Sequence, residues 1–399
     1  MKKLFSVVLS CLLLFLAARC GFKEPKSVSS RTASHDTALS SMASSEAAVQ
    51  SISPQAVPTV SAMELPIPSN AQPTAIVNGE ILYGIGTANA TAYYMLQSDF
   101  KKTREVGEIE NWDTDSDDIA IVGNRYIYRM PSVKSNGKMV NSLFQIDTQS
   151  NRITKMLDAD FTIPLCYFSV LNNRDIFMFN PSSFADGFHY YIYKIDLERR
   201  RLISMKETTA TASRGERMNG VVCNDGKIYL MNSQSDKTYI LVYDSKFVLQ
   251  RKIRVPELDG SSTLKMKIIG NIFYFENITG SSLFFYDGSG LRKFWSAGYN
   301  FSLVETDRGM DKTFPYVYLY ERDKSFLYVL NLFNKTVTKI ELNLDPDYEE
   351  IALGKADEKG NAILQCKQGG ENGSSYKTYF IKSGNVLNYL KNAKPLQLG

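Results

Sequence analysis

The sequence predicts an all-β fold, a β-propeller of seven four-stranded blades, on three observations. One hairpin pattern recurs along the chain, a second strand pattern precedes each copy, and the composition favours strands. Tyr (23) and Phe (22) are abundant whereas Trp (2) is scarce, a bias that suits strands better than helices. The repeat length is that of a propeller blade, and six or eight blades stay open if one unit is divided differently.

The recurring hairpin is typified by LVYDSKFVLQRKIRV, which begins at Leu241 with an apolar strand, an aspartate, a turn and a second strand. The copies align on the residue that closes the first strand: Asp99, Asp147, Asp196, Asp244, Asp287, Asn331 and Lys382. Asp and Asn accept hydrogen bonds from backbone groups two residues ahead and tolerate turn conformations. The pattern therefore predicts one turn former per blade. A ring of acidic ligands is the alternative interpretation.

A short alternating strand precedes each hairpin and is usually entered by a Gly or Asn turn. Its copies read GEILYGI, NRYIYRM, RDIFMFN, GKIYLMN, GNIFYFE, FPYVYLY and GNAILQC. Several repeats show one more apolar run before it, so each unit predicts four strands over roughly 45 residues. Blades stacked around an axis cover one another, and ring closure is expected to use residues 63–70 or the C-terminal KPLQLG.

The N-terminus begins MKKLFSVVLSCLLLFLAARC. Two lysines precede the apolar residues 4–18, which are too few for a typical membrane span and typical of a signal peptide over residues 1–19. The LAARC stretch resembles a bacterial lipobox, and that resemblance implies lipidation of Cys20. Arg19 departs from the small residue expected there, and cleavage by signal peptidase I near Ala18 is the alternative.

The stretch after this segment, residues 20–73, is rich in Ser, Ala and Thr. Such a composition buries too little apolar surface to form a core, so it predicts a disordered tether. The folded propeller domain is then expected over residues 74–399. A lipid at Cys20 and a tether of this length place the domain at the cell envelope, exported and anchored to a membrane.

The aromatic-or-Ile–Asp pair that recurs at strand ends, as in Tyr243-Asp244, resembles bacterial secreted or lipid-anchored β-propellers of the broad TolB-like kind, with six to eight blades. The resemblance lies in the repeat pattern. Neither the Trp-Asp pair of WD40 blades nor the double Gly of kelch blades is repeated from blade to blade, since Trp112-Asp113 and Gly369-Gly370 each occur once. Because such folds carry enzymes, lectins and scaffolds alike, the resemblance implies architecture and export but chooses no activity.

Charge argues against nucleic-acid binding. The formal net charge is +4, and removing residues 1–19 takes away Lys2, Lys3 and Arg19 without any acid, which leaves +1. A nearly neutral protein is a poor candidate for tracking phosphates.

No catalytic signature occurs in the sequence, and no cofactor is indicated. Of the two histidines, His35 lies in the tether and His189 begins a third strand, and no Gly-x-Ser-x-Gly motif accompanies them. The domain cysteines, Cys166, Cys223 and Cys366, lack metal-ligand spacing and are interpreted as buried free thiols, with a Cys166–Cys223 disulfide as the alternative.

The acidic stretch NWDTDSDD, residues 111–118, is a weak candidate for a metal site. Asp113, Asp115 and Asp117 have the spacing that begins a calcium loop. Asp118 stands where such a loop needs Gly and Asn124 where it needs Glu, so a solvated acidic loop is the preferred interpretation.

Aromatic residues near a Gly-containing loop suggest a binding face. The candidates are Trp112, Phe184, Phe188, His189 and Tyr190. An aromatic rim suits glycan stacking or a protein hot spot, whereas the alternative is that the rings cover the ends of the core.

Two function classes follow. The first is a non-catalytic binding or scaffold module at the bacterial cell envelope, whose partner is an envelope protein or a glycan. The alternative is a secreted carbohydrate-active enzyme, a glycosidase or lyase, with carboxylates converging at the propeller channel.

Overall fold

The computed structural model of the chain describes residues 59–110, 119–159, 167–184, 187–210, 217–234, 237–259, 263–277, 280–298, 301–306, 314–369 and 375–396. All of them belong to one compact unit, Ala56–Gly399. Seven sheets follow one another within these residues, and the first strands of neighbouring sheets contact each other to form an inner wall. The all-β fold and the seven blades are therefore confirmed.

Blades 1 to 3 follow two short N-terminal strands. In chain order the strands are β1 (Thr59–Ser61), β2 (Met63–Glu64), β3 (Ala71–Val77), β4 (Glu80–Gly86), β5 (Ala90–Leu96), β6 (Thr103–Glu110), β7 (Ala120–Val122), β8 (Tyr126–Arg129), β9 (Ser132–Ser135), β10 (Lys138–Asp147), β11 (Arg152–Ala159), β12 (Tyr167–Leu171), β13 (Asp175–Phe184), β14 (Gly187–Asp196) and β15 (Arg201–Ala210). β3–β6 form blade 1, β7–β11 blade 2 and β12–β15 blade 3.

Blades 4 to 7 complete the ring. Their strands are β16 (Arg217–Asn224), β17 (Lys227–Gln234), β18 (Lys237–Tyr243), β19 (Leu249–Arg254), β20 (Thr263–Ile269), β21 (Ile272–Asn277), β22 (Gly280–Tyr286), β23 (Leu291–Gly298), β24 (Phe301–Leu303), β25 (Glu305–Thr306), β26 (Tyr316–Glu321), β27 (Phe326–Asn331), β28 (Val337–Asn343), β29 (Tyr348–Ala356), β30 (Ala362–Gln368) and β31 (Ser375–Ile381). β16–β19 form blade 4 and β20–β23 blade 5. β24 and β26–β28 form blade 6, and β29–β31 begin blade 7.

The ring closes through the N-terminal strands. β2 pairs antiparallel with β31, with Met63 opposite Phe380, and supplies the outer strand that blade 7 lacks. β1 adds in parallel to β28 at the outer edge of blade 6. Of the two closing segments expected from the sequence, residues 63–70 therefore contain the one that pairs.

These strands lie within residues 59–73, the end of the stretch assigned to the tether. Val60 and Leu65 are almost fully buried, and their burial against the last blades explains why a segment without aromatic residues is ordered here. The remainder of the predicted tether, residues 20–58, and the predicted signal peptide, residues 1–19, lie outside the described residues.

One helix, α1 (Ser383–Leu390), follows the last strand, where the sequence indicated no helix of consequence. Because β2 occupies the outer position of blade 7, the chain after β31 has no strand position left to fill there. It turns into a helix that buries Val386 against the core shared by blades 6 and 7.

The core lies between neighbouring blades. One β-branched aliphatic residue near the start of each second strand is almost fully buried: Ile81, Ile127, Ile176, Ile228, Ile272, Val317 and Ile363. Ile127 packs with blade 1 residues such as Met95, and Ile363 packs with Ile81. The second recurring sequence pattern thus marks the same packing position in every blade.

The recurring aspartate is a turn former. The side-chain Oδ1 accepts a backbone N–H two or three residues ahead at Asp99, Asp147, Asp196, Asp244, Asp287 and Asn331, with N···O distances of 2.9–3.1 Å. Lys382 breaks the series because no turn into a fourth strand follows β31, and it instead precedes α1.

Candidate functional site

We call the two ends of the propeller its upper and lower faces. The lower face carries the turns from first to second strand and from third to fourth strand. The upper face carries the turns from second to third strand and the connections between blades. Loops on a rigid scaffold are common sites of recognition, so the upper face is the candidate binding surface.

Blade 3 rises high on the upper face, as does blade 2, whose β10 also has ten residues. β13 and β14 have ten residues each, whereas the second strands of blades 4 to 7 have six to eight. Two to four extra residues lengthen the hairpin by roughly 7–13 Å at about 3.3 Å per residue. The pairing continues to its tip, where Phe184 lies opposite Gly187.

Three predicted site residues lie on this raised hairpin by their backbone positions. Phe184 pairs with Gly187, Phe188 with Ser183, and His189 with Ser182. The structure therefore brings Phe184, Phe188 and His189 together at the upper end of blade 3.

Tyr190, the fourth predicted residue of this segment, is a core residue. Only 6% of it is exposed, and its ring stacks on Phe179 with a centroid distance of 5.8 Å. It packs with Leu230 and Leu241 of blade 4. The Tyr190 ring therefore covers the end of the core, which was the alternative interpretation of the aromatic candidates. Trp112 and the weak metal candidates Asp113, Asp115 and Asp117 lie outside the described residues.

Tyr167 is an exposed aromatic residue that the sequence interpretation did not single out. It begins β12 at the upper end of the inner wall, and 43% of it is exposed. Its ring lies 6.3 Å from that of Phe179, so Tyr167, Phe179 and Tyr190 form a row of three rings. The position directly before an apolar strand was the available signal, but periodicity alone does not tell an exposed strand end from a buried one.

Blade 2 adds a second hairpin beside blade 3. The turn between β9 and β10 has Asn136 at φ 50° and Gly137 at φ 79°, the pair of left-handed residues that a tight hairpin needs. Ser135 and Ser142 both donate to Asp158 on β11, which fixes the hairpin to the outer strand. Burial opposes ionisation of Asp158, yet hydrogen bonds from Lys155 and Ser142 lower its pKa overall.

Asparagine side chains link the turns at the lower end of the inner wall. Asn78 Nδ2 donates to the carbonyl oxygen of Asn124 (2.8 Å), and Asn124 Nδ2 donates to Glu358 Oε1 (3.1 Å) in blade 7. The Gly123 N–H donates to Asn173 Oδ1 (2.9 Å). These contacts tie blades 7, 1, 2 and 3 together at the lower mouth of the channel.

Carboxylates near the inner ends of blades 5 to 7 are paired with cations. Lys355 Nζ lies 2.7 Å from Glu305 Oε2, and only 7% of the lysine side chain is exposed. The Arg322 guanidinium donates to Ser302 Oγ (2.8 Å) and lies 3.4 Å from Glu276 Oε1. The first pair joins β25 to β29 within the blade 7 sheet, and the second joins the second strand of blade 5 to the residue that follows the second strand of blade 6.

Every carboxyl pKa shift resolved among the described residues is downward: Asp147, Asp158, Asp196, Asp259, Asp287 and Asp345. A general acid at neutral pH needs the opposite shift. The part of the chain that the structure describes holds no group of three or more His, Cys, Asp or Glu side chains placed to bind a metal. None of its helices is long and apolar enough to span a membrane.

Cys223 and Cys366 are free thiols. Burial raises the pKa of each to about 12, so neither is a thiolate at neutral pH. The disulfide alternative for Cys223 is therefore wrong, whereas Cys166 lies outside the described residues.

No protein-family model and no curated protein sequence matches the chain. Solved structures resemble it in fold. An oligogalacturonate lyase from Vibrio parahaemolyticus matches with a TM-score of 0.53 and 9% identity over 81% of this chain and 92% of that chain. An oligogalacturonate lyase in complex with manganese matches with a TM-score of 0.53 and 8% identity over 80% and 93%. A protein from Lactobacillus plantarum matches with a TM-score of 0.51 and 12% identity over 76% and 99%. At these identities the likeness shows the propeller fold alone.

Proposed function

We propose that this protein is an exported β-propeller, held at a bacterial membrane through Cys20, that binds an envelope protein or a glycan on its upper face without catalysing a reaction. One observation carries the proposal. The raised hairpin of blade 3 stands beside Tyr167, whose exposed ring ends a row of three aromatic rings.

An exposed tyrosine at the end of a row of buried rings suits recognition. Tyrosine offers a flat apolar ring and a hydroxyl group at little cost in side-chain entropy, and it stacks equally well on a sugar ring or on a partner's side chain. The rings of Phe179 and Tyr190 are buried in the blade, so they hold Tyr167 in place before a ligand arrives.

The placement at a membrane rests on the N-terminal sequence. A charged start, an apolar stretch over residues 4–18 and a cysteine at position 20 together favour export followed by lipidation. Residues 20–58 would then give the propeller reach beyond the membrane surface.

The binding role is tested by Tyr167→Ala and by the double variant Trp112→Ala, Phe188→Ala. Each is compared with the parent protein on a glycan array and in capture from a detergent-solubilised envelope extract. Capture should fall about tenfold or more for a hot-spot ring, with a melting temperature within about 2 °C of the parent. Lys101→Ala, which truncates an exposed side chain at a turn on the lower face in blade 1, is the control and should leave capture unchanged.

Two results would contradict the binding role. A large loss of melting temperature in the double variant would show that its rings belong to the core. Unchanged capture by every upper-face variant would show that the binding surface lies elsewhere on the protein.

The placement is tested by Cys20→Ala, with Cys11→Ala as the matched control. Cys20→Ala should move the protein from the membrane fraction to the soluble fraction and abolish labelling by a fatty acid. Cys11→Ala should change neither. Equal labelling of Cys20→Ala and the parent would end the lipidation hypothesis.

A carbohydrate-active enzyme is the second candidate. Its support is the propeller fold shared with oligogalacturonate lyases, at 9% and 8% identity. Incubation with a panel of polysaccharides decides between the two. Elimination or hydrolysis products that disappear in Glu305→Gln or Glu276→Gln, but persist in the exposed-site control Glu198→Gln, would replace the binding role with catalysis.

A further inference from the structure

Three large apolar side chains among the described residues are more than half exposed. They are Val248 (54%), Leu249 (51%) and Phe333 (75%). All three lie on the lower face, where the third strand turns into the fourth strand in blades 4 and 6. Exposed apolar groups gathered on one part of a surface are ordinarily sites of interaction.

The turn of blade 5 joins the other two turns into one surface. Arg251 of blade 4 donates through Nη1 to the carbonyl oxygen of Gly288 (2.9 Å) and lies over the Tyr286 ring at 5.7 Å. Lys335 of blade 6 places its Nζ 3.7 Å from the centroid of Phe285. Residues 244–252, 287–293 and 331–339 are therefore neighbours, and we call them the lower rim.

The lower rim is strongly basic. Its cations are Lys246, Arg251, Arg292, Lys293 and Lys335, against two acids, Asp244 and Asp287. The ammonium groups of Lys252 and Lys339 lie instead over the Tyr239 and Phe326 rings, further up their strands. Both acids are already engaged. Each accepts backbone N–H groups of its own turn, and Asp287 also pairs with Arg292 at 2.6 Å. The net charge of these rim groups is therefore +3, most of the +4 that the chain as a whole carries.

A fourth apolar side chain extends the rim. The Leu396 N–H donates to the carbonyl oxygen of Val337 (2.7 Å) at the start of the outer strand of blade 6, and 38% of Leu396 is exposed. Apolar groups on separate turn tips at one end of the molecule, with cations between them, suit a flat anionic surface. The apolar tips enter the boundary between headgroups and acyl chains while lysine and arginine stay at the phosphates.

We propose that the lower rim docks on a bilayer containing anionic lipids, with Val248, Leu249 and Phe333 inserted at the interface and the rim cations on the headgroup phosphates. The upper face then points away from the membrane. This docking concerns a different surface from the proposed ligand site and does not depend on lipidation of Cys20, although a lipid there would raise the local concentration of the rim at the bilayer.

The test places a fluorescent probe at the rim of the full chain. Phe333→Trp puts an indole on the lower rim, and Met139→Trp puts one on the upper face, at a position that is 37% exposed. The parent protein supplies the background from Trp112 and Trp295. Each protein is mixed with vesicles of equal parts phosphatidylcholine and phosphatidylglycerol that carry bromine on their acyl chains.

Emission from the Phe333→Trp variant should be quenched by about twofold or more and shifted to the blue, since bromine quenches only indoles that reach the acyl region. The Met139→Trp signal should match the parent background. Phosphatidylcholine vesicles and high salt should each reduce the quenching, because both remove the attraction between the cations and the headgroups.

Charge reversal supplies a matched pair of variants. Lys246→Glu with Lys293→Glu, made in the Phe333→Trp background, should weaken vesicle partition about tenfold or more. Lys101→Glu with Lys102→Glu changes the net charge equally, at an exposed turn on the same face in blade 1, and should leave partition nearly unchanged.

Three outcomes would overturn the proposal. Equal loss of partition in both reversed pairs would show that net charge alone drives binding. Equal quenching of the Phe333→Trp and Met139→Trp indoles would show that the rim does not face the bilayer. Absence of quenching at Phe333→Trp, together with tight binding of polyglutamate to the rim, would assign the rim to an acidic protein instead. Because none of these outcomes measures ligand binding at the upper face, failure here leaves the proposed ligand site standing.

Discussion

Met63 lies opposite Phe380, so β2, near the start of the described chain, and β31, the last strand of the propeller, form one sheet. The pairing gives β31 a second neighbouring strand, so the outer edge of blade 7, where the ring closes, is covered. An unpaired strand at such an edge would present free N–H and C=O groups and the apolar face of the last blade to solvent.

Deletion of residues 59–64 should therefore destabilise the whole propeller. The loss of the buried Val60 and of the closing strand should lower the free energy of unfolding by about 3 kcal/mol or more and favour aggregation through β31. Urea denaturation and light scattering measure the two effects. Deletion of residues 40–45, an equal length within the predicted tether, is the control, and an equal effect of both deletions would contradict the closing role.

Asp147→Asn should destabilise the protein at neutral pH while keeping the turn. Asparagine retains the Oδ1 acceptor, as Asn331 shows in blade 6, so the variant removes only the ion pair with Arg125 at 2.5 Å. The melting temperature should fall by about 2–4 °C. Asp99→Asn, at a turn for which no arginine pair is described, should change it far less.

The loss of melting temperature in Asp147→Asn should depend on pH. The hydrogen bond from Arg125 holds the pKa of Asp147 well below its ordinary value of 3.8. The stabilisation by the pair is therefore complete above that ordinary value and is lost as the pH falls below it toward the folded-state pKa. The melting temperatures of parent and Asp147→Asn should converge below pH 3.8, and a constant difference through that range would argue against the ion pair.

Gly360→Ala should be one of the most damaging single-methyl changes. Gly360 has φ +79°, and a Cβ atom there would lie 2.1 Å from ring atoms of the buried Phe314. We expect a loss of about 3 kcal/mol or more in the free energy of unfolding, from strain and overpacking together. Gly270→Ala, at φ +60° with no atom within 4 Å, isolates the backbone cost and should lose only about 1 kcal/mol. Similar losses at both sites in urea denaturation would refute the packing argument.

Cys223 and Cys366 should resist alkylation in the native protein at pH 8 and react once it is unfolded. Desolvation raises the pKa of both thiols to about 12 from an ordinary value of 9.0. Unfolding releases protons from these thiols above pH 9, so stability should decline as the pH rises from 9 toward 12. Mass spectrometry of iodoacetamide-treated protein checks the first point, and rapid native labelling of Cys366 would contradict it.

Local chemistry made much of the fold predictable. A turn from third to fourth strand needs a short side chain that accepts backbone hydrogen bonds, and Asp or Asn stands at that position in six blades. The start of each second strand needs an aliphatic residue that is buried between two sheets, and Ile or Val stands there in all seven. The candidate site was predictable only as a face, because aromatic residues near a Gly-containing loop indicate a surface without telling which rings are exposed.

The sequence by itself determined the blade, its repeat and its turn residues, since these depend on neighbours a few positions apart. Only the tertiary structure decided that β2 rather than a C-terminal strand closes blade 7, that Tyr190 is buried while Tyr167 is exposed, and that Arg251 and Lys335 bring three turns into one basic rim. Each of these depends on which blade lies beside which. That arrangement is set by packing between residues far apart in the chain, which the alternation of apolar and polar residues within one strand does not specify.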